Sequence, residues 1–443
     1  MTNELQLQAQ SIERINASSF IESRRDLRFA TALTFAPDAM SPVQCAYSLR
    51  REDGILRLEI HAADVSELIC PSTPIDDAAR EKGAAIPTAH GLSAMLSPNL
   101  VWNTFDLKEG EDRLVLSVIL DVDDNYDLVG LRFDESVIRV ERRCLYDEID
   151  ELLISNDASS VLSLRGKYKR FLPMIEDMYS LSAELHRRRH ARGGMQIDSP
   201  IRCFLTNDNA ETTGFKRIPR SDSEMMLYEL TVFASSALGT YLAKNGCPSL
   251  FFSELPPEKA HLLDLARAVG IEVDGGMPES RIVNDLVDLS RGSDVFGMVC
   301  DEIRLSSPLC RYSDKPVYNA VAACDTVVLF NRPATRYSDI LMHRLLKNLL
   351  HSAKNEGFSI SSRANYFAGL ANEAEAKRRS AELQLDSEQI ASVLSNGGTF
   401  PGYYFGNGTV ILDNNAKIPC CSELEPGKRY VFSVSDGKAF LAV

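Results

Sequence analysis

The chain has 443 residues, 44% hydrophobic and 25% charged, the balance of a globular protein with room for a large core and an accessory module. Its formal net charge of −14 argues against a surface coated by nucleic acid, while leaving room for a basic channel inside an acidic shell. No apolar run reaches the roughly 20 residues that span a bilayer, and the ten cysteines lie scattered without a C-x-x-C, which fits reduced thiols and neither a disulfide frame nor a zinc site.

The N-terminal MTNELQLQAQSIERIN lacks the basic start and apolar stretch of a secretory signal, so a cytoplasmic protein is expected, without a membrane partner. Residues 1–28 read as a polar lead with one helix from Glu4 to about Ile15, with no room for a further domain before the sheet. The stretch that organises the rest is Leu33 to Ser66. An Asp-Gly turn at Asp53-Gly54 separates two alternating runs, with Leu56, Leu58 and Ile60 on one face and Arg57, Glu59 and His61 on the other. That pattern predicts a β-hairpin. His61 is expected to be a structural, hydrogen-bonded side chain. Further strands are predicted at Val118–Val122, Leu128–Phe133 and Val137–Val140, with polar turn residues Asp123 to Asn125 between the first two.

Helices follow. Leu172, Ile175, Met178, Leu181 and Leu185 recur on one face of a long helix that runs out at Gly193-Gly194. Ser221 and Glu224 form a capping box before a helix over Met225–Leu242, apolar nearly all round and therefore expected to be buried. Amphipathic helices are predicted at Pro257–Val269, stopped by Gly270, and at Pro278–Leu289. From Gly398 onward short strands alternate with Asn-Gly, Pro-Gly and Asp-Gly turns, the rhythm of a small OB-type barrel.

Three motifs resemble the RNase II/RNase R (RNB) family of 3′-to-5′ exoribonucleases. Thr34 to Ala46 is similar to the family's T-I-D-P-x-x-A-x-D-x-D-D-A strand, and His61-Ala62-Ala63-Asp64-Val65-Ser66 to its H-I-A-D-V-S. Phe330 to Leu346 resembles F-T-S-P-I-R-R-Y-x-D-L-x-V-H-R-x-L, retaining Pro333, Arg336, Tyr337, Asp339, His343 and Arg344. Asp112-Arg113 through Ser117 resembles the D-R-x-A-x-S strand, Leu145 to Ile149 the T-Y-x-E/D-V element that closes the sheet, and Asn372 through Arg379 the helix ending the catalytic domain. The resemblance implies an α+β fold: a mixed sheet wrapped by helices over 29–385, after an N-terminal extension at 1–28, then an OB-type barrel at 386–443.

In the family, four aspartates of the first motif hold magnesium. Here those positions are Ala36, Pro42, Gln44 and Cys45. Magnesium needs clustered hard oxygen ligands, so neither metal nor cofactor is expected, magnesium entering only if the site were active. Cys45 reads as a small buried hydrophobe, not a nucleophile. The resemblance implies phosphate contact for Arg336, and RNA contact for Tyr337 and Arg344. The same Arg336, Tyr337 and Asp339 would also serve purely to hold the fold. Asp339 and His343, four apart, are expected to pair. A basic cluster at the end of the long helix, Arg187, Arg188, Arg189 and Arg192, is a candidate for tracking an RNA backbone, although cations there also satisfy the helix dipole. Elsewhere RNA contacts look eroded: Phe251 to Glu254 stands where the family tends to Y/F-R-x-H, and Ser235 replaces an asparagine. The leading expectation is a catalytically inactive RNB-type protein that binds single-stranded RNA. The rivals are a scaffold or regulatory subunit with a protein partner, and a residual 3′-to-5′ exoribonuclease with atypical metal ligands.

Overall fold

The hairpin at Asp53-Gly54 forms the centre of the largest sheet. The protein is described here from a computed structural model covering residues 3–13, 15, 17–88, 91–154, 158–197, 199–207, 212–351, 363–395, 397–406 and 408–442. Two compact units divide the chain: 1–189, 221–253 and 310–378 in the first, and 190–220, 254–309 and 379–443 in the second.

The sheet of the first unit contains β1 (Arg25–Asp26), β2 (Ala32–Ala36), β3 (Cys45–Glu52), β4 (Ile55–Ala63), β5 (Asp112–Val122) and β6 (Leu128–Leu145). Strands β3 and β4 pair antiparallel from Cys45↔Ala62 to Glu52↔Ile55. Between them Asp53 and Gly54 take φ of 49° and 78°, the positive pair that a two-residue hairpin turn demands. The order is β1-β6-β2-β3-β4-β5, with β5 also paired to β6. Strand β6 pairs antiparallel with β5 over its first part and parallel with β2 over Val140–Leu145, so the ladder returns to its start and the sheet is mixed. The strands expected at Leu128–Phe133 and Val137–Val140 are therefore one long strand. Leu145 ends it. The segment expected to close the sheet instead begins a helix at Tyr146–Ile154, whose first turn carries Asp147 and Glu148, favourable at a helix N-terminus.

Alternation along β4 does not separate core from solvent. Leu56, Leu58 and Ile60 are buried, and so are Glu59 and His61. His61 Nδ1 lies 2.8 Å from Ser117 Oγ and Nε2 3.1 Å from Ser48 Oγ. Burial holds its pKa down at about 3, so it stays neutral and structural.

Among the helices are α1 (Leu172–Ala191), α2 (Asp222–Lys244) and α3 (Tyr337–His351). Ser221 caps α2 by accepting from Glu224 N–H at 3.0 Å. Helices α2 and α3 both pack on β6. In the second unit, a helix over Lys259–Val269 ends at Gly270 in the left-handed region, and Glu279–Ser290 and Phe296–Ser306 follow. Its sheet is built from β7 (Thr399–Gly406), β8 (Thr409–Leu412), β9 (Lys417–Pro419), β10 (Arg429–Ser435) and β11 (Lys438–Leu441), in the order β9-β8-β7-β10-β11. A parallel bridge from Cys420 to Ala439 brings the two edges together around Val410, Leu412 and Phe432, as an OB-type fold requires.

Gly239 sits inside α2 where an added Cβ would meet the Thr326 carbonyl oxygen at 2.5 Å. Gly239→Ala gains about 1 kcal/mol of helix propensity, but forcing helix and backbone apart costs about 1–3 kcal/mol. The expected result is a lower thermal midpoint by calorimetry, against the propensity trend.

Candidate nucleic-acid interface

Ala36 is the last residue of β2 and is fully buried. Pro42 and Gln44 lie in the loop leading to β3, and Cys45 is its first residue. Asp38, nearby in sequence, is turned outward. Its carboxylate accepts from the backbone N–H of Met40 and Ser41, both at 2.7 Å, and from Ser41 Oγ at 2.8 Å, which holds its pKa low and spends it on a local turn.

Gln44 acts as a tether. Ala334 N–H donates to its Oε1 at 2.7 Å, and Ala63 N–H donates to its backbone carbonyl at 2.9 Å. The Cys45 thiol is buried and its pKa is pushed up to about 12 by that burial, so it stays protonated. These side chains do not suit a hard divalent cation. Two have no donor atom, one amide oxygen already has a backbone partner, and the last is a soft, neutral thiol.

Asp106 holds the loop from the other side. Its Oδ1 accepts from Val43 N–H at 2.8 Å and from Arg143 Nη2 at 2.6 Å. Neither residue stood out in the sequence; a buried aspartate in a loop gives no periodic signal.

The segment before and within α3 separates the retained residues into inward and outward groups. Tyr337 O–H donates to Asp76 at 2.9 Å, and Arg344 Nη2 donates to Asp76 at 2.7 Å and to the Ile69 carbonyl at 2.8 Å. Both side chains, expected to reach RNA, spend their hydrogen-bonding groups inside the protein. Asp339 Oδ2 accepts from Arg336 Nη2 and Arg332 N–H, each at 2.8 Å. The pairing expected between Asp339 and His343 does not form. His343 Nε2 instead donates to the Phe330 carbonyl at 2.7 Å, because Asp339 faces the turn ahead of the helix. Arg336 also donates to Asn331 Oδ1 at 2.8 Å, and its side chain is 25% exposed. Arg332, which sequence reasoning passed over, is exposed on the same turn. Its signal was available: the family pattern carries serine there.

The basic end of α1 is largely neutralised. Arg187 pairs with Glu184; Arg188 pairs with Glu184 and Asp127 and donates to backbone carbonyls at Asn125 and Tyr126. Arg189 is buried against Glu229 and the Val321 carbonyl. Arg192 is exposed just beyond the helix. Of the three consecutive arginines, Arg187 keeps the greatest exposure, at 67% of its side chain.

Asp64, Glu67 and Glu135 bring three carboxylates within reach of a common point. Protein cations fill it. Arg24 lies 2.8 Å from Asp64 and 2.7 Å from Glu67, and Lys347 Nζ lies 2.7 Å from Asp64 and 3.3 Å from Glu135. Burial opposes charge on Asp64, but Lys347 and Arg24 outweigh it and hold its carboxyl well below the usual range.

A closed mixed sheet, the Phe330–Leu346 segment against it and an OB-type end define a scaffold of the exoribonuclease type. Residues 24–352 match the RNB domain, and the chain belongs to that family. It is 21% identical over 348 residues to Ribonuclease R 1 of Lactococcus lactis subsp. lactis, an overlap of 77% of this chain and 42% of that protein. The chain spans about half the length, or less, of the curated relatives it matches. The fold is similar to that of Mycoplasma genitalium RNase R in complex with ribose methylated single-stranded RNA. There the TM-score is 0.82 at 17% identity, covering 100% of this chain and 75% of that one. It is also similar to yeast Ssd1, a pseudonuclease, with a TM-score of 0.65 at 16% identity, covering 91% and 51%. Among the described residues no helix is long and apolar enough to cross a membrane.

Lys347→Met leaves the buried Asp64 with Arg24 alone and should cost about 3 kcal/mol in denaturant unfolding at neutral pH. The Asp64 pKa is depressed in the folded state, so its contribution is complete above the ordinary value of 3.8 and fades as pH falls below it. The gap between wild type and variant should therefore narrow in acid.

Proposed function

We propose that this protein is a non-catalytic RNB-family member that holds single-stranded RNA by its phosphate backbone. The observation carrying this reading is the donor set at Ala36, Pro42, Gln44 and Cys45. Metal-assisted hydrolysis needs a cation to activate water and to neutralise the leaving oxygen, and these residues offer no anionic oxygen to concentrate one. Arg336, partly solvent-reached beside Asp339, supports the binding half of the reading, because a guanidinium fork matches a phosphate. Arg187 and Arg192 are the remaining exposed candidates along a backbone track. Tyr337, Arg344, Arg188 and Arg189 enter the proposal as supports of that surface, since internal partners occupy them. The proposal keeps an extension at 1–28, an RNB-like domain at 29–385 and the barrel at 386–443, in a cytoplasmic protein.

A second reading, a scaffold that binds another protein, is favoured by the −14 net charge together with the neutralised end of α1. Fluorescence anisotropy with labelled oligo(A) separates the two. RNA binding should weaken with salt, the log–log slope scaling as about −0.7 per neutralised phosphate. No affinity even at low ionic strength, with a stoichiometric protein partner co-eluting, would select the scaffold. RNA incubated with magnesium or manganese should stay full length. Progressive 3′ shortening that EDTA abolishes would establish the residual exonuclease instead.

A further inference from the structure

We propose that Arg332 takes over the electrostatic role of a divalent cation: its fixed guanidinium, beside that of Arg336, holds one phosphate of the RNA backbone at the head of β3 without metal. The inference rests on the RNA-binding reading and deepens it by naming the residue and the group it grips.

The placement comes first. Arg332 lies on the turn that is tied to the head of β3 by the Ala334 N–H bond to Gln44, and Gln44 is one of the four positions where the family motif has a carboxylate. The turn is rigid around it. Arg332 N–H donates to Asp339 at 2.8 Å, and the Arg332 carbonyl accepts from Arg336 N–H at 2.9 Å and Thr335 N–H at 3.1 Å. Its stem is thus anchored at both backbone polar groups.

The side chain behaves differently. Arg332 is exposed, and its guanidinium makes no hydrogen bond or ion pair among the described residues, whereas Arg336 on the same turn is bonded to both Asn331 and Asp339. An exposed arginine is ordinarily a solvated surface group. This one is reached by solvent while protein crowds it: burial and then the Arg336 charge push its pKa down, and the Cys45 thiol and the Tyr47 and Tyr146 hydroxyls lie within its field. A guanidinium stays protonated at any physiological pH, so the charge is permanent. Of the two guanidinium groups on this short turn, that of Arg336 is bonded to the Asp339 carboxylate, while Arg332 reaches the same carboxylate only through its backbone N–H, and the two positive charges repel. An anion relieves that repulsion, and a phosphodiester fits two forked donors.

The sequence carries the same exchange. The family motif reads S-P-I-R-R where this chain reads Arg332-Pro333-Ala334-Thr335-Arg336. The arginine of the pattern at Thr335 is absent and one stands instead at Arg332, on the same turn. Positive charge has been moved, not added.

The test is anisotropy of labelled oligo(A) and oligo(U) with the full chain, in EDTA and in magnesium. Wild type should bind equally in both buffers. Arg332→Gln should bind both RNAs about ten- to hundredfold more weakly, with a salt slope shallower by about 0.7. Arg332→Lys should recover part of the loss. Arg267→Gln, at an exposed helix position, should bind as wild type does. Thermal melts confirm that each variant is folded. Should Arg332→Gln bind like wild type while Arg336→Gln weakens binding, the inference is overturned and the RNA-binding reading survives. Wild-type affinity that requires magnesium also overturns it. Absence of RNA binding by wild type at low salt overturns both.

Discussion

Helix α3 is held along its length by three buried aspartates contributed from elsewhere or from its own first turn. Asp339 grips the turn that leads into the helix, Asp76 receives Tyr337 and Arg344, and Asp64 receives Lys347. Each carboxylate is out of water and each is answered by a cation or a set of donors. Removing one partner of such a pair costs far more than the pair contributes over an apolar substitute. The arrangement therefore fixes the register of α3 against the sheet to within one residue. That register in turn decides which side chains of the turn at Asn331–Arg336 face inward and which reach solvent.

These contacts show how the residues of one family motif serve the frame. Tyr337, Asp339, His343 and Arg344 are bound into the frame through Asp76, Phe330 and the turn itself. None of those contacts depends on a metal ion. The first motif is different. With Ala36, Pro42, Gln44 and Cys45 at its four positions, β2 and β3 still pair, so that pairing needs no carboxylates there. Gln44 has a frame role, joining the head of β3 to Ala334. The structural half of the site and the chemical half are separable because different atoms carry them.

The acidic composition and the proposed affinity for phosphate are compatible on the same grounds. Several exposed arginines of the first unit are matched by nearby carboxylates, as at Arg25, Arg51 and Arg187. Such surface pairs contribute little to stability, but they cancel the field that would draw RNA to the wrong face. On the proposed reading, the balance of charge at the turn carrying Arg332 and Arg336 governs recognition more than the total.

The sequence by itself determined the hairpin, the ends of the main helices, the OB-type rhythm of the last strands and the family, because turn chemistry, caps and period are local properties of the chain. The same was true of the missing carboxylates. It did not reveal that both faces of β4 are covered, that two short strands are one, or that a sheet-closing segment turns helical, since each depends on what packs against it. For the candidate site, residue type identified Arg336 and the basic cluster equally well. Only tertiary structure separated them, by placing Glu229 and Asp76 where they consume Arg189 and Arg344, while the Arg332 guanidinium has no hydrogen bond or ion pair among the described residues. A charge is written in the sequence; whether it is spent often depends on partners distant in the chain, as Asp76 is from Arg344, and only folding brings them within reach.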